Sequence, residues 1–126
     1  METLSIQASK YTPEIELNAE TNRLSIKGKS YPENTFDFYS PVIAWLKVYF
    51  EQETLAKTNV DFDIIYFNSS SSKLFFDLFD LLEEAQDDGK EITVNWYYDE
   101  ENESAEEAGE DFKEDFEEMD FNIIKK

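Results

Sequence analysis

The chain has 126 residues, of which 30 are acidic and 11 basic, and its formal charge of −19 is accompanied by no histidine and no cysteine. These absences exclude a cysteine nucleophile, a disulfide framework, a Cys/His zinc site and a Ser-His-Asp triad. With 40% hydrophobic and 16% aromatic residues, the chain can fill one core, so we expect a single domain over residues 1–126.

The negative charge also limits the expected partners. Lys and Arg supply most of the affinity for nucleic acid, and anionic lipid surfaces repel a protein of this sign, so neither partner is expected. No stretch approaches the roughly 18 consecutive apolar residues of a membrane span, and we expect a cytoplasmic protein without a cofactor. Residues 99–120 hold 13 of the acidic residues and one lysine.

Two segments near the N-terminus, residues 14–17 and 23–27, alternate apolar with polar side chains and predict a β-hairpin. A helix is predicted over residues 36–52, where apolar residues recur at three- and four-residue steps. Ser40 and Pro41 suit its N-cap and first helical position, and predict a kink or restart there.

The middle of the chain predicts a strand, a helix and a second strand. Residues 60–67, VDFDIIYF, become wholly apolar and predict a central strand buried on both faces. A helix opens at the serines of residues 69–72 and closes at the Asp-Asp-Gly of residues 87–89. Residues 91–97 predict the next strand.

The acidic segment has apolar residues at helical spacing, which predicts a docked helix with Ser104 and Glu107 as its capping box. Residues 121–124 predict a last strand. The order is then ββαβαβαβ, which predicts an α/β fold with a mixed, mostly parallel sheet and helices packed on it.

Four consecutive serines, residues 69–72, stand where the central strand passes into the second helix. Hydroxyls and free N–H groups at a helix N-terminus favour an anion or a phosphoryl group, so this joint is a candidate phosphorylation site. The alternative is that one serine caps the helix and the others are merely solvated.

The second helix has an unusual outer face. At 100° per residue Phe76 lies nearly opposite the apolar side, with Phe79 on its flank and Lys73 and Asp80 nearby. An exposed phenylalanine beside a phosphorylation site is typical of a protein interface, although single exposed apolar residues are also common. Asp61 and Asp63 do not form a calcium loop, and no metal site is predicted.

Several segments together resemble the SiaC family of bacterial regulatory phosphoproteins. They are YTPEI at residues 11–15, GKSYPEN at 28–34, IIYFNSSSSK at 64–73, DLFDLLEEA at 77–85 and VNWYYDEEN at 94–102. The resemblance spans nearly the whole chain and implies a STAS-like fold of the anti-sigma-factor-antagonist type, which agrees with the predicted order of elements.

The resemblance implies a non-enzymatic partner switch. A cognate kinase would phosphorylate one hydroxyl, a PP2C-type phosphatase would remove the phosphate, and the unmodified form would bind and activate a diguanylate cyclase. A strict anti-sigma-factor antagonist that binds a switch kinase is the alternative. The oligomeric state is open, and a homodimer is one possibility.

The resemblance also assigns the site. The family's phosphoacceptor, commonly Thr, directly follows the Asn at the end of the central strand, and here it is Ser69 after Asn68. Ser70 and Ser71 are alternatives in the same joint. We expect phosphate there to add negative charge beside a partner-binding face, and so to weaken binding. The residues expected in that face are Asn68, Ser70, Lys73, Phe76, Phe79 and Asp80.

Overall fold

Within residues 1–53 and 55–126, which the computed structural model describes, six strands form one sheet and three helices connect the last four strands. The strands are β1 (Leu4–Ile6), β2 (Glu14–Asn18), β3 (Arg23–Ser30), β4 (Thr58–Phe67), β5 (Ile92–Tyr98) and β6 (Asp120–Lys125). The helices are α1 (Thr35–Phe50), α2 (Ser69–Asp87) and α3 (Glu103–Asp115).

The spatial order of the strands is the order of the chain. β1 to β3 form an antiparallel meander, whereas β3, β4, β5 and β6 are mutually parallel. Successive right-handed crossovers in one direction place all three helices on the same face of the sheet. The predicted α/β fold with a mixed, mostly parallel sheet is therefore confirmed.

The first strand, β1, was not predicted. It has three residues and pairs Leu4 with Leu17 and Ile6 with Ile15 at the edge of the sheet. So short an alternation gives almost no periodic signal, because its place is fixed by the partner strand rather than by its own sequence. The full order is βββαβαβαβ.

The prediction that β4 is buried on both faces is wrong. Val60, Phe62 and Ile64 are buried, but the alternate side chains face an open surface because every helix lies on the other side. On that open face Asp61 accepts a hydrogen bond from the Asn95 amide at 2.9 Å and pairs with Arg23 at 3.5 Å.

Asparagine caps each of the three helices. The side-chain oxygens of Asn34, Asn68 and Asn102 accept from the backbone N–H three residues later, at 3.1, 2.9 and 3.1 Å. The predicted Ser40 cap of α1 and the Ser104–Glu107 capping box of α3 are therefore wrong, because both helices begin before those residues.

Helix α1 passes through Pro41 without a break. Pro41 has no N–H, so the Asp37 carbonyl lacks its helical donor. Both residues are exposed, so water can replace the missing hydrogen bond. The apolar side that the three- and four-residue spacing predicts is confirmed, with Tyr39, Val42 and Leu46 buried.

Helix α3 packs on the sheet, as its apolar spacing predicts. Phe112 is buried, as are Phe116 and Met119 just beyond the helix, while most of its carboxylates are exposed. Gly109 lies directly against Trp96, whose indole N–H donates to the Ala105 carbonyl at 2.9 Å. In the part of the chain that the structure describes, no helix is long and apolar enough to cross a membrane.

Candidate functional site: the strand–helix joint and its groove

The joint between β4 and α2 is fixed by Asn68. Its side chain caps the helix at Ser71, and its carbonyl accepts the first intrahelical bond from the Ser72 N–H at 2.9 Å. Its own N–H donates to the Ser30 carbonyl at 3.1 Å, which ties the joint to β3. Ser69 is consequently the first residue of α2, and the alternative that a serine caps this helix is wrong.

The four serines have different surroundings. Ser69 and Ser70 are exposed, Ser72 is half-buried, and Ser71 is fully buried. A kinase can reach a hydroxyl at the surface but not one that is enclosed in the core. Ser71 is therefore removed as an alternative phosphoacceptor in this conformation, and Ser69 and Ser70 remain.

The buried hydroxyls around Ser71 have a single consistent arrangement of donors. Ser71 Oγ donates to the Ser30 carbonyl at 2.9 Å, so it must accept from Ser30 Oγ, which lies 2.8 Å away. Since Ser30 has thereby used its one proton, the phenol of Tyr39 donates to Ser30 Oγ at 2.6 Å. Burial raises the pKa of the Tyr39 phenol, which keeps this donor protonated.

The exposed end of α2 attracts negative charge. The N–H groups of Ser69 and Ser70 precede the first intrahelical bond, whereas the N–H of Ser71 is taken by Asn68. Lys73 is exposed one turn further on, and it pairs with no carboxylate of residues 1–53 and 55–126. These groups together suit a phosphoryl group on Ser69 or Ser70.

Two cavities meet at Lys73. The larger, about 610 Å³, is the groove between α2 and α3, and Ser69 opens into it. Apolar side chains line it at Phe67, Phe76, Ala108 and Phe112, and carboxylates at Asp77, Asp111 and Asp115. The smaller, about 390 Å³, lies between α1 and α2, and Ser70 opens into it beside Phe36.

The structure separates the residues expected in the partner-binding face. Ser70, Lys73 and Asp80 are exposed, and Asn68 is half-buried as the helix cap. Phe76 is 40% exposed and rests against Phe116 with ring centroids 5.0 Å apart.

The expectation for Phe79 is wrong, because this side chain is fully buried. Its ring contacts Phe62, Phe112 and Phe121, with centroids 4.9 to 5.3 Å apart. The helical period places Phe79 on the flank of the outer face of α2, but α3 and β6 cover that flank. It belongs to the core and not to the surface.

At this site the exposed aromatic residue Phe36 was missed from the sequence. Phe36 is 67% exposed, in the first turn of α1, and lines the smaller cavity with Ser70 and Lys73. Its three-residue spacing from Tyr39 would assign both to the same side of the helix, so the periodicity gave no signal of its exposure.

The fold and this site define a small α/β binding protein that presents an exposed serine beside a groove. No three acidic side chains among the described residues converge as metal ligands would. The sequence profile described as "SiaC family regulatory phosphoprotein" matches residues 6–126, so the chain belongs to the SiaC family. It is a regulatory phosphoprotein and not an enzyme, as the resemblance implied.

Relatives and solved structures agree with this assignment. An uncharacterised protein of Pseudomonas aeruginosa strain UCBPP-PA14 is 37% identical over 115 residues, which are 91% of this chain and 90% of that protein. Apo-SiaC of Pseudomonas aeruginosa superposes with a TM-score of 0.87 at 33% identity, over 100% of this chain and 99% of that one.

A third match comes from a complex. SiaC of Pseudomonas aeruginosa, described there as the activator of the diguanylate cyclase SiaD and bound to it, superposes with a TM-score of 0.85 at 34% identity. The match covers 97% of each chain.

Proposed function

We propose that the unmodified chain binds and activates a diguanylate cyclase, and that a cognate kinase and a PP2C-type phosphatase control this binding through Ser69. The observation that carries the proposal is the position of Ser69, an exposed residue that lines the α2–α3 groove. The role of SiaC as activator of SiaD supports the choice of target. A cytoplasmic location is part of the proposal.

The charges around Ser69 refine how phosphate would act. A phosphoserine carries about −1.5 to −2 charges, whereas Lys73 supplies +1 and the N-terminus of α2 about +0.5. These two positive groups nearly balance the phosphate, but Asp77, Asp111 and Asp115 line the same groove and keep it negative. Phosphorylation would shift the local charge by about −1.5 to −2 and would also place a bulky, hydrated phosphate in the groove.

The site assignment is tested by phosphorylating purified variants with the cognate kinase. Ser69→Ala should abolish incorporation, while Ser70→Ala, the matched exposed neighbour, should retain it. Peptide mapping by mass spectrometry assigns the residue. Full incorporation into the Ser69→Ala variant at Ser70 would overturn the assignment while leaving the joint as the modified segment.

The target is tested by affinity capture with the unmodified Ser69→Ala variant as bait. A diguanylate cyclase should be retained, and its synthesis of cyclic di-GMP should rise when the bait is added. Retention of a sigma-factor-binding switch kinase in its place would identify the chain as a strict anti-sigma-factor antagonist and contradict the cyclase proposal.

A further inference from the structure

The groove between α2 and α3 has an acidic rim and an apolar floor. Asp77 of α2 and Asp111 and Asp115 of α3 are all exposed along the rim. Lys73 is the one cationic side chain among the described residues that line it. The rim is therefore negative in spite of Lys73, and it lies beside the segment that carries most of the charge of the chain.

The floor of the groove is aromatic. Phe67 and Phe112 lie with ring centroids 6.3 Å apart, and Ala108 continues this surface along α3. The partly exposed ring of Phe76 borders it on the α2 side. An apolar floor inside a charged rim is the arrangement of a protein-binding groove, where buried anchors supply affinity and rim charges supply orientation.

We infer that this groove binds a protein segment that inserts an apolar side chain between α2 and α3 and flanks it with Lys or Arg. The inference rests on the proposed function and states the chemistry of the partner at the same site. Charge complementarity carries it, because only a basic segment gains from Asp77, Asp111 and Asp115 together. A second copy of this chain, at −19, is repelled as a whole, and so are nucleic acids and anionic lipids.

Ser69 connects this groove to regulation. Ser69 lines the groove together with Lys73, which lies one turn further along α2. A phosphate held there by Lys73 and the N-terminus of α2 would fill volume that the inserted segment needs. The block would therefore come from the occupied volume and the hydration of the phosphate, and not from charge repulsion of the basic segment.

The experiment measures the affinity of the unmodified protein for the diguanylate cyclase retained in the capture experiment, by calorimetry between about 50 and 300 mM salt. The test variant is Asp111→Asn/Asp115→Asn. The matched control, Glu14→Gln/Glu20→Gln, removes the same charge from exposed sites on β2 and its turn. Asp77→Asn tests the opposite wall should the double variant fail to fold.

The groove variants should raise Kd about tenfold at low salt and flatten its salt dependence, while the control pair should leave both near the wild-type values. Equal Kd values for the groove and control pairs would overturn the inference and leave the proposed function standing. A wild-type protein that retains no cyclase would overturn the proposed function itself, and this inference with it. If the wild type self-associates and Asp111→Asn/Asp115→Asn abolishes that self-association, the occupant of the groove is a second copy of this chain. That result would likewise overturn the inference.

Discussion

The hydroxyl of Ser71 donates to the carbonyl of Ser30 at 2.9 Å and accepts from the hydroxyl of Ser30 at 2.8 Å. These two residues are 41 positions apart, and their double link joins the first turn of α2 to the end of β3. It holds Ser71 inside the core, while the residues before it, Ser69 and Ser70, face solvent. One serine of the joint is thus structural and two are accessible.

Replacing Ser71 should therefore destabilise the fold. Ser71→Ala removes one donor and one acceptor from a buried network and should lower the free energy of unfolding by about 1–3 kcal/mol. Thermal denaturation measures the change. Ser70→Ala, the exposed control, should stay within about 0.5 kcal/mol of the wild type. Equal stabilities for the two variants would show that the Ser30–Ser71 link does not stabilise the joint.

Two phenylalanines of α2 should respond differently to truncation. Phe79→Ala empties a core position and should lower the free energy of unfolding by about 3–5 kcal/mol. Phe76→Ala should lower it by only about 1–2 kcal/mol, but should weaken binding of the cyclase. Chemical denaturation and calorimetry separate the two effects. A Phe76 variant with unchanged affinity would place this residue outside the partner-binding face.

Gly109→Ala should destabilise the protein, although alanine is the better helix former by about 1 kcal/mol. An added Cβ would lie 2.5 Å from Trp96 Cδ1 and 2.8 Å from its Nε1, so α3 would have to move off the sheet. We expect a net loss of about 1–3 kcal/mol and a red shift of tryptophan emission. Ser104→Ala, at an exposed position of the same helix, is the control. A more stable Gly109 variant would contradict the close packing.

Stability should fall at alkaline pH because of Tyr39. Burial raises the pKa of its phenol above the ordinary value of 10.0. Since the folded pKa lies above the unfolded one, this stabilisation is complete below pH 10 and is lost as the pH rises above it. Tyr39→Phe should lose less stability than the wild type between pH 9 and about 11. Parallel pH profiles for the two proteins would contradict this role.

Phosphorylation of Ser69 should stabilise the fold. The phosphate would lie at the positive end of α2 and within one turn of Lys73, which should raise the free energy of unfolding by about 0.5–2 kcal/mol. Thermal denaturation of the modified and unmodified protein measures the increment. Lys73→Met should reduce it, whereas Lys47→Met on α1 should leave it unchanged. A phosphoprotein that melts below the unmodified protein would exclude this arrangement.

Much of the architecture could be predicted from local pattern. The apolar spacing of α1, α2 and α3 places Val42, Leu78 and Phe112 in the core, and the alternation of strands and helices predicts the parallel part of the sheet. The joint at Ser69 was also predictable, because a buried strand followed by small polar residues and a helical pattern marks a strand–helix transition.

The sequence by itself determined the charge, the missing chemistries, the order of the long elements and the position of the serine joint. These properties depend on composition and on near neighbours in the chain. Tertiary structure decided which serine is buried, since the partner of Ser71 in α2 is Ser30 at the end of β3. It also enclosed Phe79, exposed Phe36 and left one face of β4 open, because burial depends on which other element covers a side chain and not on the period of its own segment.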